Sequence, residues 1–154
     1  MKLLSYGKDG GPDSTVWGFW LIEWKRLFSI ALLVFEDGSR DMFHSHAFNS
    51  VSWVLKGELV EKTVGEQSGK CLGWIDGKWQ TPFGSLFKYY YYDPSFKPII
   101  TKRDRFHQVT SKGRTWVLTF RGPWAKQWKE YDPKTGESFT LESGRKVVGK
   151  SYQE

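Results

Sequence analysis

The sequence predicts an all-β protein, an antiparallel barrel assembled from short strands. Three observations carry this reading. Glycine, proline and aspartate turn signals recur along the chain, the segments between them are strand-sized, and those segments are rich in aromatic and β-branched side chains. Many short strands at regular spacing favour a sandwich or a barrel over a helical architecture.

The elements follow in chain order. Residues 8–13 (Lys-Asp-Gly-Gly-Pro-Asp) read as a loop. Residues 16–23 alternate Trp17, Phe19 and Leu21 against Gly18, Trp20 and Ile22, which is a strand. Residues 27–35 are apolar on both faces, so this second strand is central. Asp37-Gly38 turns the chain into a third strand, 41–47. Residues 50–55 and 58–64 flank Lys56-Gly57 as a tight hairpin. A polar turn at 65–70 is followed by a hairpin at 74–79 (Trp-Ile-Asp-Gly-Lys-Trp). Residues 86–92 and 99–102 are strand-like, with breaks at Asp93-Pro94 and Lys97-Pro98. Residues 106–110 and 114–120 are two more strands, the second stopped by Gly122-Pro123. Residues 124–130 make either a short helix of two turns or another strand. Residues 139–142 and 145–148 form a terminal hairpin around Ser143-Gly144. No repeat and no long linker divides the chain, so 1–154 reads as a single domain.

A chain of 154 residues can bury a substantial core, and nine Trp with eleven Phe supply large apolar area. No segment reaches the roughly 20 apolar residues of a membrane helix, so no membrane partner is expected. The first eight residues are too short in apolar content for a secretory signal. Cys71 is the sole cysteine and cannot close an internal disulfide. Together these point to a soluble, cytoplasmic protein. The net charge of +6 is concentrated: between residues 97 and 121, seven Lys and Arg stand against Asp104 alone. That excess surrounds His107. It serves an anionic ligand or a nucleic acid, or it is a solvated strand edge guarded by cations.

All three histidines fall into one pattern. His44 and His46 are two residues apart, and His107 comes much later in another strand-like segment. On a strand, residues i and i+2 share a face, about 6.6 Å apart. Two imidazoles at that spacing can converge on one ion, and His107 can supply a third nitrogen. Three protein ligands leave a coordination position open, as in catalytic sites. Imidazole suits several divalent metals, so the pattern leaves the ion's identity open. The alternative is three partly buried histidines that hydrogen-bond to neighbours.

Gly38-x5-His44-x-His46-x3-Ser50-x6-Gly57 resembles the first motif of the cupin superfamily, G-x5-H-x-H-x3,4-E-x6-G. The flanking Ser-Trp-Val-Leu-Lys-Gly-Glu-Leu is also similar to that family. The likeness covers roughly residues 38–120 and implies an antiparallel jelly-roll barrel, with His107 in the role of the second motif's histidine. That second motif is poor: the family's proline and glycine would fall at Lys102 and Asp104, and its asparagine at Ser111. The resemblance also implies a metal-binding glutamate, and Ser50 stands in its place. A three-histidine centre for Fe, Mn or Zn remains, as in thiol-dioxygenase-like cupins. The alternative is a metal-free pocket with a histidine base, as in sugar-epimerase-like cupins. Glu58 and Glu61 on the next strand are substitutes for the lost carboxylate, Glu58 the poorer because it follows the turn. Cupins often pair, which implies a homodimer. The whole chain, including Thr119-Phe-Arg121-Gly-Pro-Trp-Ala-Lys126, also resembles short cupin-like proteins encoded by bacteriophages.

Arg103 and Arg105 flank His107 and are placed to hold a carboxylate or phosphate. Arg121 ends a strand at the barrel mouth. Tyr90 and Tyr92, alternate members of the run 89–92, face inward and line a pocket or fill it. Asp41 falls on the face opposite His44, and Cys71 lacks the neighbours of a nucleophile. No nucleophile elbow and no phosphate loop is present. Two functions therefore stand. The first is a metal-dependent oxygenase or isomerase for a small anionic molecule, with His44, His46 and His107 as ligands. The second is a non-catalytic, metal-free module. It would bind a nucleotide-like or sugar-phosphate ligand through Ser50, Tyr90, Tyr92, Arg103, Arg105 and Arg121. Nucleic-acid binding is the less favoured third.

Overall fold

The computed structural model of the protein describes residues 1–11, 14–39, 42–64, 74–75, 78–79, 87–132 and 135–152. Among these there are fourteen strands and no helix. β1 (Lys2–Lys8), β2 (Val16–Trp24) and β3 (Phe28–Phe35) form an antiparallel meander. The spine is β11 (His107–Arg121). One of its edges takes β3, then β4 (Gly38–Ser39), then β5 (Phe43–His44); the other takes β6 (Ser50–Val64). β6 carries β9 (Phe87–Tyr92) and β10 (Ile99–Thr101) on its far side. β5 passes on to β12 (Gln127–Asp132), β13 (Glu137–Glu142) and β14 (Lys146–Tyr152). Twelve strands join in one antiparallel sheet, while β7 (Trp74–Ile75) and β8 (Lys78–Trp79) pair apart from it.

The feature that positions the site is a β-bulge. Residues 50–64 are one continuous strand, not the hairpin that Lys56-Gly57 suggests. Gly57 instead sits at φ +87°, where the ladder between β6 and β11 slips its register. A Cβ at Gly57 would lie 2.8 Å from Thr115 Cα, so the two strands need glycine there to approach. Thr115, wholly buried, patches the irregularity. Its hydroxyl donates to Glu58 O (2.9 Å) and accepts from Glu58 N (3.1 Å). The register slip, five steps on β11 from Lys112 to Val117 against four on β6 from Glu58 to Val54, switches which face of β6 points inward. Before it, Ser50, Ser52 and Val54 face the interior; after it, Leu59, Glu61 and Thr63 do. On β11 the inward residues keep one parity, from His107 and Val109 to Thr119 and Arg121.

Other expectations meet similar corrections. Residues 106–110 and 114–120 belong to one strand, β11. The short helix near residue 124 is absent, and the strand alternative holds as β12. Among the described residues of the expected strand 41–47, only Phe43–His44 is paired on the ladder, because at Ser45 the Lys129 amide turns to the serine hydroxyl. The N-terminal strand β1 was not expected, since Leu3, Leu4 and Tyr6 do not alternate. The hairpins at 74–79 and around Ser143-Gly144 are both present. Asp41, the turn at 65–70 and Cys71 lie outside the described residues.

Ala31, Leu33, Val54, Leu59 and Val117 form the apolar core, with Trp20, Phe35, Tyr92 and Ile99 packed against it. Phe43 and Tyr131 make a second, smaller cluster. The main core continues into a cavity of about 750 Å³ lined by Leu33, Leu59 and Val117 together with all three histidines. No helix among the described residues is long and apolar enough to cross a membrane.

Candidate metal centre

The sheet brings the histidines together by register. His44 on β5 lies directly opposite His107 on β11 and, on its other side, opposite Glu130 on β12. Just after His44 the chain is clamped to β12. Ser45 N donates to Lys129 O (2.9 Å), and Ser45 Oγ accepts from Lys129 N (3.0 Å). His46 N then donates to Arg103 O (2.9 Å). These bonds turn His46 into the cavity although it lies beyond the strand.

The three rings form a nearly regular triangle, with centroids 5.0, 4.9 and 4.8 Å apart. Their ligand nitrogens all lie within 4.8 Å of one another, and His46 Nε2 is 2.7 Å from His107 Nε2. At that distance one proton is shared between two ring nitrogens. Two nitrogens bound to one ion through bonds of about 2.1 Å lie at most about 4.2 Å apart. Around a tetrahedral ion the same bonds put two nitrogens about 3.4 Å apart, so a divalent metal needs the widest pair to close by up to about 1.4 Å, the 2.7 Å pair to open by about 0.7 Å, and the shared proton to leave. Nδ1 of His44 lies 3.4 Å from Met42 O, which leaves its Nε2 for the centre.

Behind His107 stands Glu61, only 2% exposed. It pairs with Val109 on the ladder, the diagonal neighbour of His107 on the same face. Its carboxylate meets His107 Nδ1 at 2.5 Å and accepts from Tyr92 OH (2.6 Å) and an Arg105 guanidinium nitrogen (3.0 Å). Burial alone would raise its pKa. The hydrogen bond and charge of His107, with Tyr92 and Arg105, outweigh that and hold it below the ordinary carboxylate value. Tyr92 is shifted the other way, because burial and its bond to the Glu61 carboxylate both disfavour the phenolate. Glu61 is thus the group that fixes the His107 tautomer, with Nδ1 protonated and Nε2 turned to the cavity. The structure places it behind His107, not within the three-histidine cluster. Glu58, on the outward face, pairs with Lys112 instead.

The remaining predicted residues divide. Ser50 and Arg121 are buried and line the cavity, and the half-buried Tyr92 lines it too. Arg105 lies beside the site, bound to Glu61 and 5.1 Å from the Tyr90 ring. Tyr90 is exposed, and Arg103 contributes backbone only: its amide donates to Asn49 Oδ1 and its side chain is exposed. Neither lines the cavity. Four of the seven cations in the basic segment are paired, Arg105 with Glu61, Lys112 with Glu58, Arg114 with Glu36 and Arg121 with Asp9. That leaves little of the segment for a phosphate backbone. Sequence reasoning missed Asp9, Glu130, Arg145 and Trp124, all of which line the cavity. Glu130, almost fully buried, is bound by Arg145 at 2.6 Å.

No family profile matches the sequence. No curated protein matches it either. Among solved structures the chain is similar to a sugar phosphate isomerase of the cupin superfamily from Silicibacter pomeroyi. The TM-score is 0.54 at 11% identity, over 100% of this chain and 92% of that one. It is also similar to Streptomyces albus HEPD with its substrate 2-hydroxyethylphosphonate and Fe(II) bound. There the TM-score is 0.53 at 10% identity, over 78% of this chain and 24% of that one, so the chain spans about a quarter of that protein. A cupin superfamily protein from Desulfitobacterium hafniense matches at TM-score 0.45 and 17% identity, over 75% of this chain and 84% of that one. At such identities the likeness is one of fold.

Proposed function

We propose that this chain, whose fold is that of the cupin superfamily, holds a divalent metal ion on His44, His46 and His107. In this reading it acts on a small anionic molecule as an oxygenase or isomerase. The observation that carries it is the convergence of three imidazoles on one wall of the cavity. A bound Fe, Mn or Zn would supply positive charge and polarise an oxygen of the substrate. The protein's own groups do the rest. Glu61 keeps the His107 lone pair aimed at the cavity. Phe48, Trp124 and Trp128 wall the space against water. The cavity's charged side chains balance: Lys8, Lys25, Arg121 and Arg145 against Asp9, Glu23, Glu61 and Glu130. A divalent ion with three neutral ligands would leave the site with net positive charge, which favours an anion. The names of the two neighbours with higher TM-scores, one a sugar phosphate isomerase and one bound to a phosphonate and Fe(II), support that substrate class.

The test is metal content. After incubation with Fe(II), Mn(II) or Zn(II) and desalting, the wild-type chain is expected to retain about one ion per chain by the three-ligand stoichiometry. His44→Ala and His107→Ala should retain almost none. A wild type as empty as the variants would remove the proposal. The second reading, a metal-free module for a sugar-phosphate or nucleotide-like ligand, draws on the His46–His107 hydrogen bond, which forms without an ion. Ligand binding that survives chelation favours it. In either case we read the chain as one cytoplasmic domain. The exposed apolar face of β1 and β2 (Tyr6, Phe19, Leu21) supports a homodimer.

A further inference from the structure

Four buried side-chain atoms among the described residues have no hydrogen-bond partner: Trp20 Nε1, Ser29 Oγ, Arg121 Nε and Trp124 Nε1. Three of them are N–H donors, and those three belong to residues that line the cavity. Buried donors are nearly always satisfied, so a cluster left open calls for an acceptor from outside the chain.

Two of the donors are joined through Phe48. The Arg121 guanidinium carbon lies 4.7 Å from the Phe48 ring, and the Trp124 ring lies 5.2 Å from it. Phe48 in turn is 5.3 Å from the His46 ring. Laid end to end, the 5.3 and 4.7 Å separations put the guanidinium no more than about 10 Å from His46. Arg121 is 5% exposed and cannot move freely. Asp9 accepts from both terminal nitrogens, at 3.3 and 2.5 Å, and Nε is the guanidinium nitrogen left without a partner. Lys25 Nζ sits 4.3 Å from the Trp124 ring centre and is paired with Glu23 at 3.5 Å.

We infer that this wall is an oxyanion subsite. Arg121 Nε and the Trp124 indole N–H take the carboxylate or phosphate head group of a small molecule, whose other end reaches the histidines. The inference rests on reading the cavity as the site of a small anion, and not on the metal. It sets the ligand's size, a short chain that spans at most about 10 Å between the two ends. Asp9 is then a positioning residue that locks the guanidinium in its plane. The donors are covered in the free chain, so the head group enters as the side chains over them turn aside.

Intrinsic tryptophan fluorescence tests this, because Trp20, Trp124 and Trp128 line the cavity. The full chain is titrated at low salt with inorganic phosphate and, separately, with acetate. A saturable change with one of them is expected, and the better probe names the head group. Affinity should fall by about tenfold or more in the charge-removing pair Asp9→Asn/Arg121→Gln, the loss of a charge-assisted bond. It should fall about three- to tenfold in Trp124→Phe, which keeps the ring and removes one neutral donor. It should change less than about twofold in Lys112→Ala, which removes an exposed cation outside the cavity. No saturable change with either probe overturns the inference, and so does wild-type affinity in Trp124→Phe. If the double variant does not fold, Trp124→Phe decides alone. Loss of binding in His44→Ala as complete as in the double variant would put the head group on the histidines and also overturn it. A wild type that holds no metal but loses anion affinity in Trp124→Phe sinks the metal reading and leaves this one standing.

Discussion

At the histidine end of the cavity the Glu61 carboxylate meets three donors, and His46 and His107 share a hydrogen bond. At the Arg121 end two N–H donors, Arg121 Nε and Trp124 Nε1, are buried without a partner. Both ends hold an arginine–carboxylate pair, yet they differ in which partner is buried more deeply. Glu61 is the buried member at one end, with Arg105 30% exposed; Arg121 is the buried member at the other, with Asp9 27% exposed. The first end has its hydrogen bonds made before anything binds. The second is short of acceptors and so specifies what has to arrive. Preorganisation and specificity are separate tasks here, and they sit on separate walls.

The largest expected effect falls on the preorganised end. Glu61→Gln keeps the shape of the side chain but removes the charge that fixes the His107 tautomer. Loss of such a partner typically costs about 10- to 100-fold in metal affinity. Competition against a chromophoric chelator measures this. Phosphate binding, read by fluorescence in the same variant, should stay within about twofold, because Glu61 touches none of the open donors. If metal affinity does not move, Glu61 only fills space and the contrast between the walls fails.

The histidine end was legible in the sequence for a simple reason. A period-two pair and a single distant third exhaust the chain's histidines, and strand geometry leaves few ways to place them. The all-β fold was legible from turn spacing. The role of Glu61 was not, because the inward face of β6 depends on the bulge at Gly57. A glycine at positive φ serves a hairpin and a bulge equally well, and only the partner strand decides between them. Continuous parity from Ser50 would turn Glu58 inward and Glu61 outward, the reverse of what is observed. The second end was less legible still. Asp9 and Arg121 are 112 residues apart, and no local pattern announces their pairing. Trp124 looked like the start of a helix, and a missing hydrogen bond has no sequence signature at all.

A smaller effect sharpens the account of the first end. Tyr92 donates to Glu61 from β9, and this neutral hydroxyl is the second of the three donors. Tyr92→Phe removes it with little change in packing, at a net cost of about 0.5–1.5 kcal/mol in stability. Metal affinity should fall by about two- to fivefold, less than in Glu61→Gln, because the carboxylate keeps its charge and its bond to His107. Urea denaturation and the same chelator competition provide the two numbers. An effect on metal binding equal to that of Glu61→Gln would mean that Tyr92, not the charge, orients the carboxylate.

Arg105→Ala should do least, and the reason separates the two arginines. Arg105 reaches Glu61 through one nitrogen at 3.0 Å while 30% of its side chain stays in solvent. Water and salt screen a pair of that kind, so its removal should cost less than about 1 kcal/mol, shrinking further at high ionic strength. Glu61 would keep His107 and Tyr92 as partners and would not become an orphaned charge. Arg121 has no such reserve of solvent, since its side chain is 5% exposed against 27% for Asp9. Denaturation of Arg105→Ala at low and high salt reads the difference directly. A salt-independent loss of several kcal/mol, the range for a broken buried pair, would show that Arg105 is what makes a buried Glu61 tolerable. The histidine end would then depend on its arginine as closely as the other end does, and the division of tasks between the two walls would have to be given up.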